Sequence, residues 1–257
     1  MITVEIFNEP RRIPSSQYIH AIERYVRRVR GVPGVLALFQ YGRTDAPGIS
    51  DIDILVVVAD DFSPENGHAL EAGREALDGD LWVHQPFILP QGLWNRVNDL
   101  IYLSNLTALW EAEGSSLPQS ISPMSSELAL THLIGFSLIR LQNYADVDLE
   151  ERINKRVWLT RICSLVHSEK LCGLAGLEVP GDISHFVNKV KQIRKSWTRG
   201  QRCPDPVFEE LFRESRRIQS RIFLCALRRV MPEISNKFRS ARARYFAQNW
   251  CIVCSDE

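Results

Sequence analysis

Between Ser16 and Arg30 the apolar residues Ile19, Ile22, Val26 and Val29 recur at helical spacing, with Glu23, Arg24, Arg27, Arg28 and Arg30 filling the other positions. The spacing predicts an amphipathic helix that Gly31 and Pro33 stop. Val35 to Phe39 is then a short apolar strand. After a turn at Gly42 and a loop through Pro47 and Gly48, Ile54 to Val58 is apolar at every position, the pattern of a strand covered on both faces. Ser63-Pro64-Glu65 combines a hydroxyl cap, a proline in the first turn and an early acid, so a helix is expected there, ending near Gly79. Leu81 to Leu89 reads as a further strand with Trp82 and His84 on one face. Gln91 to Asn105 reads as a helix, and Leu106 to Leu117 as a turn-rich return to the sheet.

The pattern changes after the Ser/Pro-rich stretch from Ser115 to Ser126, which is the best linker in the chain. Leu128, Leu133, Phe136, Ile139 and Leu141 predict a helix ending near Asp146, and Ile153, Val157, Ile162, Leu165 and Val166 a second from Glu150 to Leu171. Further helices fit Ile183 to Trp197, Val207 to Val230 and Glu233 to about Asn249, with Gly181, Pro204, Pro206 and Pro232 between them. The expected class is α+β: a mixed sheet with helices over residues 1–120, then a helical bundle over residues 121–257.

Composition changes this picture little. A chain of 257 residues that is 45% apolar can bury one large core or two smaller ones. No apolar run is long enough to cross a bilayer and Met1 to Pro10 lacks a secretory pattern, so a cytoplasmic protein is expected. The zero net charge hides an asymmetry. Residues 1–120 hold 9 Lys/Arg against 16 Asp/Glu, while residues 186–257 hold 16 against 7. The basic helices at the end of the chain are therefore a candidate surface for polyanions such as RNA, or solvated faces that offset the acidic first half. Of the six cysteines only Cys251 and Cys254 have ligand-like spacing, and no second pair completes a zinc site. No Gly-rich dinucleotide or phosphate loop and no internal repeat is present.

The chemistry concentrates at Ser50-Asp51-Ile52-Asp53. Alternation along a strand sends Asp51 and Asp53 to the same side, so two carboxylates converge where the loop enters a hydrophobic sheet. Such a pair repels itself unless it shares a proton or binds a cation. Two acids beside a hydroxyl residue and a glycine turn suit Mg²⁺, which takes few protein ligands and completes its shell with water and substrate phosphates.

This stretch resembles the signature of the nucleotidyltransferase fold, which is shared by DNA polymerase beta, poly(A) polymerases, aminoglycoside nucleotidyltransferases and the minimal bacterial nucleotidyltransferases. That signature runs strand, Gly-Ser or Gly-Gly, about ten residues, Asp-x-Asp, strand; the helix and strand ahead of Gly42 stand in the same order. The resemblance implies transfer of a nucleoside monophosphate from a nucleoside triphosphate (NTP) to a hydroxyl or similar acceptor, with Asp51 and Asp53 holding Mg²⁺ or Mn²⁺. It also implies that Gly42 lets the backbone approach the phosphates and that Ser50 orients a water or caps the loop. Arg43 stands where the family carries a small residue, and would add a cationic contact or block the approach. The family's third carboxylate has no counterpart within Leu81 to Leu89. Either His84 serves as general base, or Asp80 just ahead of the segment is the third acid, or the domain keeps nucleotide affinity without chemistry. Separately, Arg161-Ile-Cys-Ser-Leu-Val-His167 resembles the Arg-x(4-6)-His motif of the higher eukaryotes and prokaryotes nucleotide-binding (HEPN) family, which would imply action on an RNA phosphodiester.

Overall fold

The computed structural model describes residues 5–42, 44–72, 81–97, 106–115, 117, 123–178 and 181–237. The chain is of mixed α+β class. Its main sheet has four strands, β2 (Val35–Tyr41), β3 (Asp53–Val58), β4 (Phe87–Pro90) and β5 (Thr107–Glu111), in the order β4-β3-β2-β5. β2 runs antiparallel to both neighbours, and β3 runs parallel to β4. Residues Ile54 to Val58 are buried, as expected for a central strand whose two faces are both covered. One face carries Leu38, Ile54, Val56 and Val58 against helix α1 (Ser15–Val29); the other carries Ala37, Phe39, Leu55 and Val57 against Leu89, Trp94 and Val97.

The buried face of α1 is Tyr18, Ala21, Tyr25 and Val29, one position round from the aliphatic face read in the sequence; Ile19 is 56% exposed. The tyrosines win because each hydroxyl finds a buried acceptor: Tyr18 donates to the Ser50 carbonyl at 2.7 Å and Tyr25 to the Leu70 carbonyl at 2.7 Å.

Two predicted elements differ from expectation. After Ser63 the described residues form a 3₁₀ turn, Pro64–Leu70; Ser63 gives no side-chain cap and Glu71 is extended, and the end of the predicted helix, from residue 73, lies outside the described residues. Of the predicted strand Leu81 to Leu89, only the end forms, at Phe87–Pro90. Pro86 has no N–H for a ladder, and the Gln85 side chain instead takes the backbone N–H of Ala72 at 2.8 Å, so the stretch around His84 is irregular. The predicted helix from Gln91 begins as a 3₁₀ turn, Gln91–Arg96; its remainder lies outside the described residues.

The helices that follow are α2 (Ser126–Glu150), α3 (Lys155–Cys163), α4 (Leu165–Leu174), α5 (Gly181–Thr198) and α6 (Asp205–Lys237). Ser125 caps α2 by accepting from Leu128 N at 3.2 Å. The single helix predicted over Glu150 to Leu171 is broken twice. Glu151 turns left-handed (φ 54°), Arg152–Asn154 forms strand β6, Asn154 caps α3 through Val157 N, and Ser164 separates α3 from α4. Pro232 does not end α6, which runs through it to Lys237. α2 packs on α4 and α6 around Leu133, Trp158, Phe186, Phe208 and Leu211.

The two parts of the sequence are interlocked. Strand β1 (Glu5–Phe7) pairs in parallel with β6, between α2 and α3, and Ala46 and Ile49 of the loop ahead of Asp51 are buried in the helical core. Among the described residues no helix is long and apolar enough to cross a membrane.

Candidate functional site

Asp53 is the first residue of β3 and pairs with Tyr41, the last of β2. The next residue, Gly42, turns with φ +74°, and a Cβ there would lie 2.6 Å from Asp53 Oδ2. The glycine is therefore needed to leave room for the carboxylate. The parallel register of β3 and β4 pairs Leu55 with Phe87; carried back, it sets Gln85 beside Asp53 and brings His84 to the same mouth of the sheet. Ile52 N donates to the Leu81 carbonyl at 2.8 Å, which ties the two entering segments together.

His84 Nε2 lies 2.6 Å from Asp53 Oδ1 and 3.9 Å from Asp51 Oδ2, and one ligand atom from each of the three side chains falls within 4.8 Å of the others. The His84 Nδ1–H donates to the Gln85 carbonyl at 2.9 Å. Burial and the neighbouring charge of Asp53 push the Asp51 carboxyl up to about 6, against the pull of His84 and Arg156. The bond to Asp53 pushes His84 up to about 9, helped by the Gln85 carbonyl and the two acids and opposed by burial. Two carboxylates and an imidazole nitrogen within bonding reach of one point make a donor set that fits a divalent cation. Their mutual repulsion is what such an ion would relieve.

The loop before the acids is held by the helices. Ser50, 2% exposed, accepts at its hydroxyl from Ala46 N (3.2 Å) and from Arg194 Nη2 (2.7 Å), so it closes the loop. Arg194 also reaches Asp45 Oδ1 at 2.6 Å. Trp197 Nε1 donates to the Pro47 carbonyl, Arg156 Nε to the Gly48 carbonyl and Thr160 Oγ1 to the Ile49 carbonyl; Tyr18 OH accepts from Gly48 N. Every carbonyl from Pro47 to Ser50 thus has a side-chain donor from α1, α3 or α5. None of these donors was read from the sequence. The only available signal was the pair of tyrosines seven apart on α1; the others come from more than 100 residues away.

Of the residues singled out in the sequence, Asp51, Asp53, His84 and Gly42 meet at one point and Ser50 sits behind them. Arg43 and Asp80 lie outside the described residues, as do Cys251 and Cys254. Arg161 stacks over Trp158 at 5.3 Å and feels the charge of Asp146; His167 is held below the usual histidine range by burial and by Arg140 and Lys170, and it feels the charge of Asp53. From the helical part, Arg156 acts electrostatically on Asp51 and His167 feels Asp53. Comparison with protein-family models and with curated proteins gives no match.

Proposed function

We propose that this chain is a metal-dependent nucleotidyltransferase that moves a nucleoside monophosphate from an NTP to an acceptor hydroxyl. In this reading residues 1–120 form the nucleotidyltransferase-like domain and residues 121–257 a helical bundle domain that shapes the acceptor side. One observation carries it: Asp51, Asp53 and His84 converge at the mouth of a buried strand, against a glycine turn whose missing side chain makes room for a carboxylate.

Asp51 and Asp53 would hold Mg²⁺ or Mn²⁺ together with His84. When bound, the ion would neutralise charge on the triphosphate and help align it for in-line displacement. The acceptor oxygen bonds to the α-phosphorus as the bond to the departing pyrophosphate breaks, and the hydroxyl proton passes to solvent water. The loop clamp from Tyr18, Arg156, Thr160 and Arg194 keeps the acids at a fixed entry to β3, so their geometry does not have to be organised at each turnover.

The test is incubation with each labelled NTP, Mg²⁺ or Mn²⁺, and a panel of hydroxyl acceptors. Labelled product and pyrophosphate that vanish in Asp51→Asn and Asp53→Asn support the transferase; tight nucleotide binding without turnover replaces it with a non-catalytic nucleotide-binding module. A second reading, an RNA-acting protein, is favoured by the open groove along α6 lined by Arg213, Arg216, Arg217 and Arg221. It requires RNA affinity that falls steeply as salt rises.

A further inference from the structure

We propose that His84 is a direct metal ligand through Nε2, and that this nitrogen makes the site select Mn²⁺ over Mg²⁺. The inference deepens the transferase reading of the same site and rests on it for the ion's role, but not for its binding.

The first support is spacing. An ion with bonds of about 2.1 Å holds neighbouring ligands about 3 Å apart and opposite ones about 4.2 Å apart. His84 Nε2 stands 2.6 Å from Asp53 Oδ1 and 3.9 Å from Asp51 Oδ2, inside that range after shifts of a few tenths of an ångström.

The second support is the other ring nitrogen. Nδ1–H donates to the Gln85 carbonyl at 2.9 Å, which leaves Nε2 as the ring atom facing the acids, bridged to Asp53 by a proton. A ligating histidine is typically fixed in this way, its second nitrogen bonded to a backbone carbonyl or a carboxylate. The Tyr41 ring lies nearly parallel to the imidazole, 18° between planes at 6.4 Å. Gln85 is itself anchored to Ala72, and Pro86 follows it, so the ring sits on a fixed segment. A divalent ion would take the place of the proton between Nε2 and Asp53 Oδ1, which stand 2.6 Å apart.

Donor chemistry then decides which ion. Mg²⁺ demands hard oxygen ligands, whereas imidazole favours first-row transition ions. Mn²⁺ is the member of that series that also suits carboxylates, which supply the other two donors. A site with three carboxylates would lack the nitrogen's share of this preference.

The experiment titrates Mn²⁺ into the full metal-free chain at fixed pH and salt. Free ion is read from its solution electron paramagnetic resonance signal, and Mg²⁺ is then added in competition. Bound Mn²⁺ is also examined for the spin-echo modulation that a directly coordinated ¹⁴N nucleus produces. The expected result is Mn²⁺ held about tenfold or more tightly than Mg²⁺, with ¹⁴N modulation that His84→Ala removes. The same substitution should weaken Mn²⁺ about tenfold or more and Mg²⁺ clearly less. Mn²⁺ bound without ¹⁴N modulation in the wild-type chain, or equal affinity for the two ions, overturns the inference. The modulation is read on the unaltered protein, so the outcome does not depend on the variant folding. Loss of the nitrogen ligand with nucleotidyl transfer intact would leave the transferase reading standing; nitrogen coordination without transfer would remove that reading and keep the ligand.

Discussion

Gly42 and Gly67 differ in a way that the sequence does not display. At Gly42 the backbone is left-handed and the space of a Cβ is taken by Asp53 Oδ2, whereas at Gly67 nothing lies within 4 Å. Gly42→Ala is expected to cost about 1–2 kcal/mol in backbone strain alone, and to push the Asp53 carboxylate off its position. Urea denaturation should show the loss, and Mn²⁺ titration a weaker site. Gly67→Ala should leave both measurements close to wild type. His167 supplies a pH prediction. Its folded pKa lies below the unfolded value near 6.5, because burial and the charges of Arg140 and Lys170 oppose protonation. The folded chain therefore binds fewer protons than the unfolded one in this range, and the contribution of His167 to stability, present above about pH 6.5, is lost as pH falls toward its folded pKa. Melting temperature should drop less between pH 7 and 5 in His167→Gln than in wild type; equal drops would show that this side chain does not titrate differently on folding.

At the scale of elements, the central strand was the most legible feature and the stretch around His84 the least. Five successive apolar residues leave few alternatives to a strand covered on both sides, and the acids at its start inherit their common direction from strand geometry. Strand parity places His84 on one face of a strand, but the segment is irregular there, and the side chain meets the acids through the parallel register of β3 with β4. On α1 the aliphatic positions Ile22, Val26 and Val29 do pack on the sheet, but Ile19 is exposed and Tyr18 and Tyr25 are buried, because residue pattern alone does not say whether a tyrosine hydroxyl will find a buried acceptor. The clamp was beyond reach for another reason. Arg194 is separated from Ser50 by 144 residues, and a side chain that bonds across such a distance leaves no periodic trace. Its weight can be measured. Arg194→Ala removes donors from buried Ser50 and from Asp45, and should cost about 1–3 kcal/mol, with weaker Mn²⁺ binding as the loop loosens. Arg216→Ala, which breaks an exposed pair with Asp148, should change stability by less than about 1 kcal/mol. If both substitutions give the same small change, α5 does not hold the acid-bearing loop.

Across the whole molecule, the division near residue 120 is crossed in both directions. β1 completes a two-stranded sheet inside the helical part, Arg156 N donates to the Asn8 carbonyl, and Lys155, 2% exposed, is held between Glu9 at 2.6 Å and Asp205 at 2.7 Å. In the other direction Ala46 and Ile49 fill the helical core. A buried ammonium that loses one of two carboxylates becomes costly, because its desolvation is no longer matched. Neither half is then expected to open alone. Hydrogen exchange at the amides of β2 and β3 should report the same opening free energy as the amides of α2 and α6, and both should fall together when residues 1–9 are removed. Independent halves would behave differently: the deletion would lower protection in the helices and leave the strands unchanged. The site makes the joint behaviour consequential, since the acids stand on the sheet while the donors that fix their loop stand on α3 and α5. Loosening the helical part by Lys155→Met should therefore weaken Mn²⁺ binding at Asp51 and Asp53, although Lys155 pairs with neither. Unchanged Mn²⁺ affinity alongside a lowered melting temperature would show that the acids keep their geometry without the helices, and that the clamp serves stability alone.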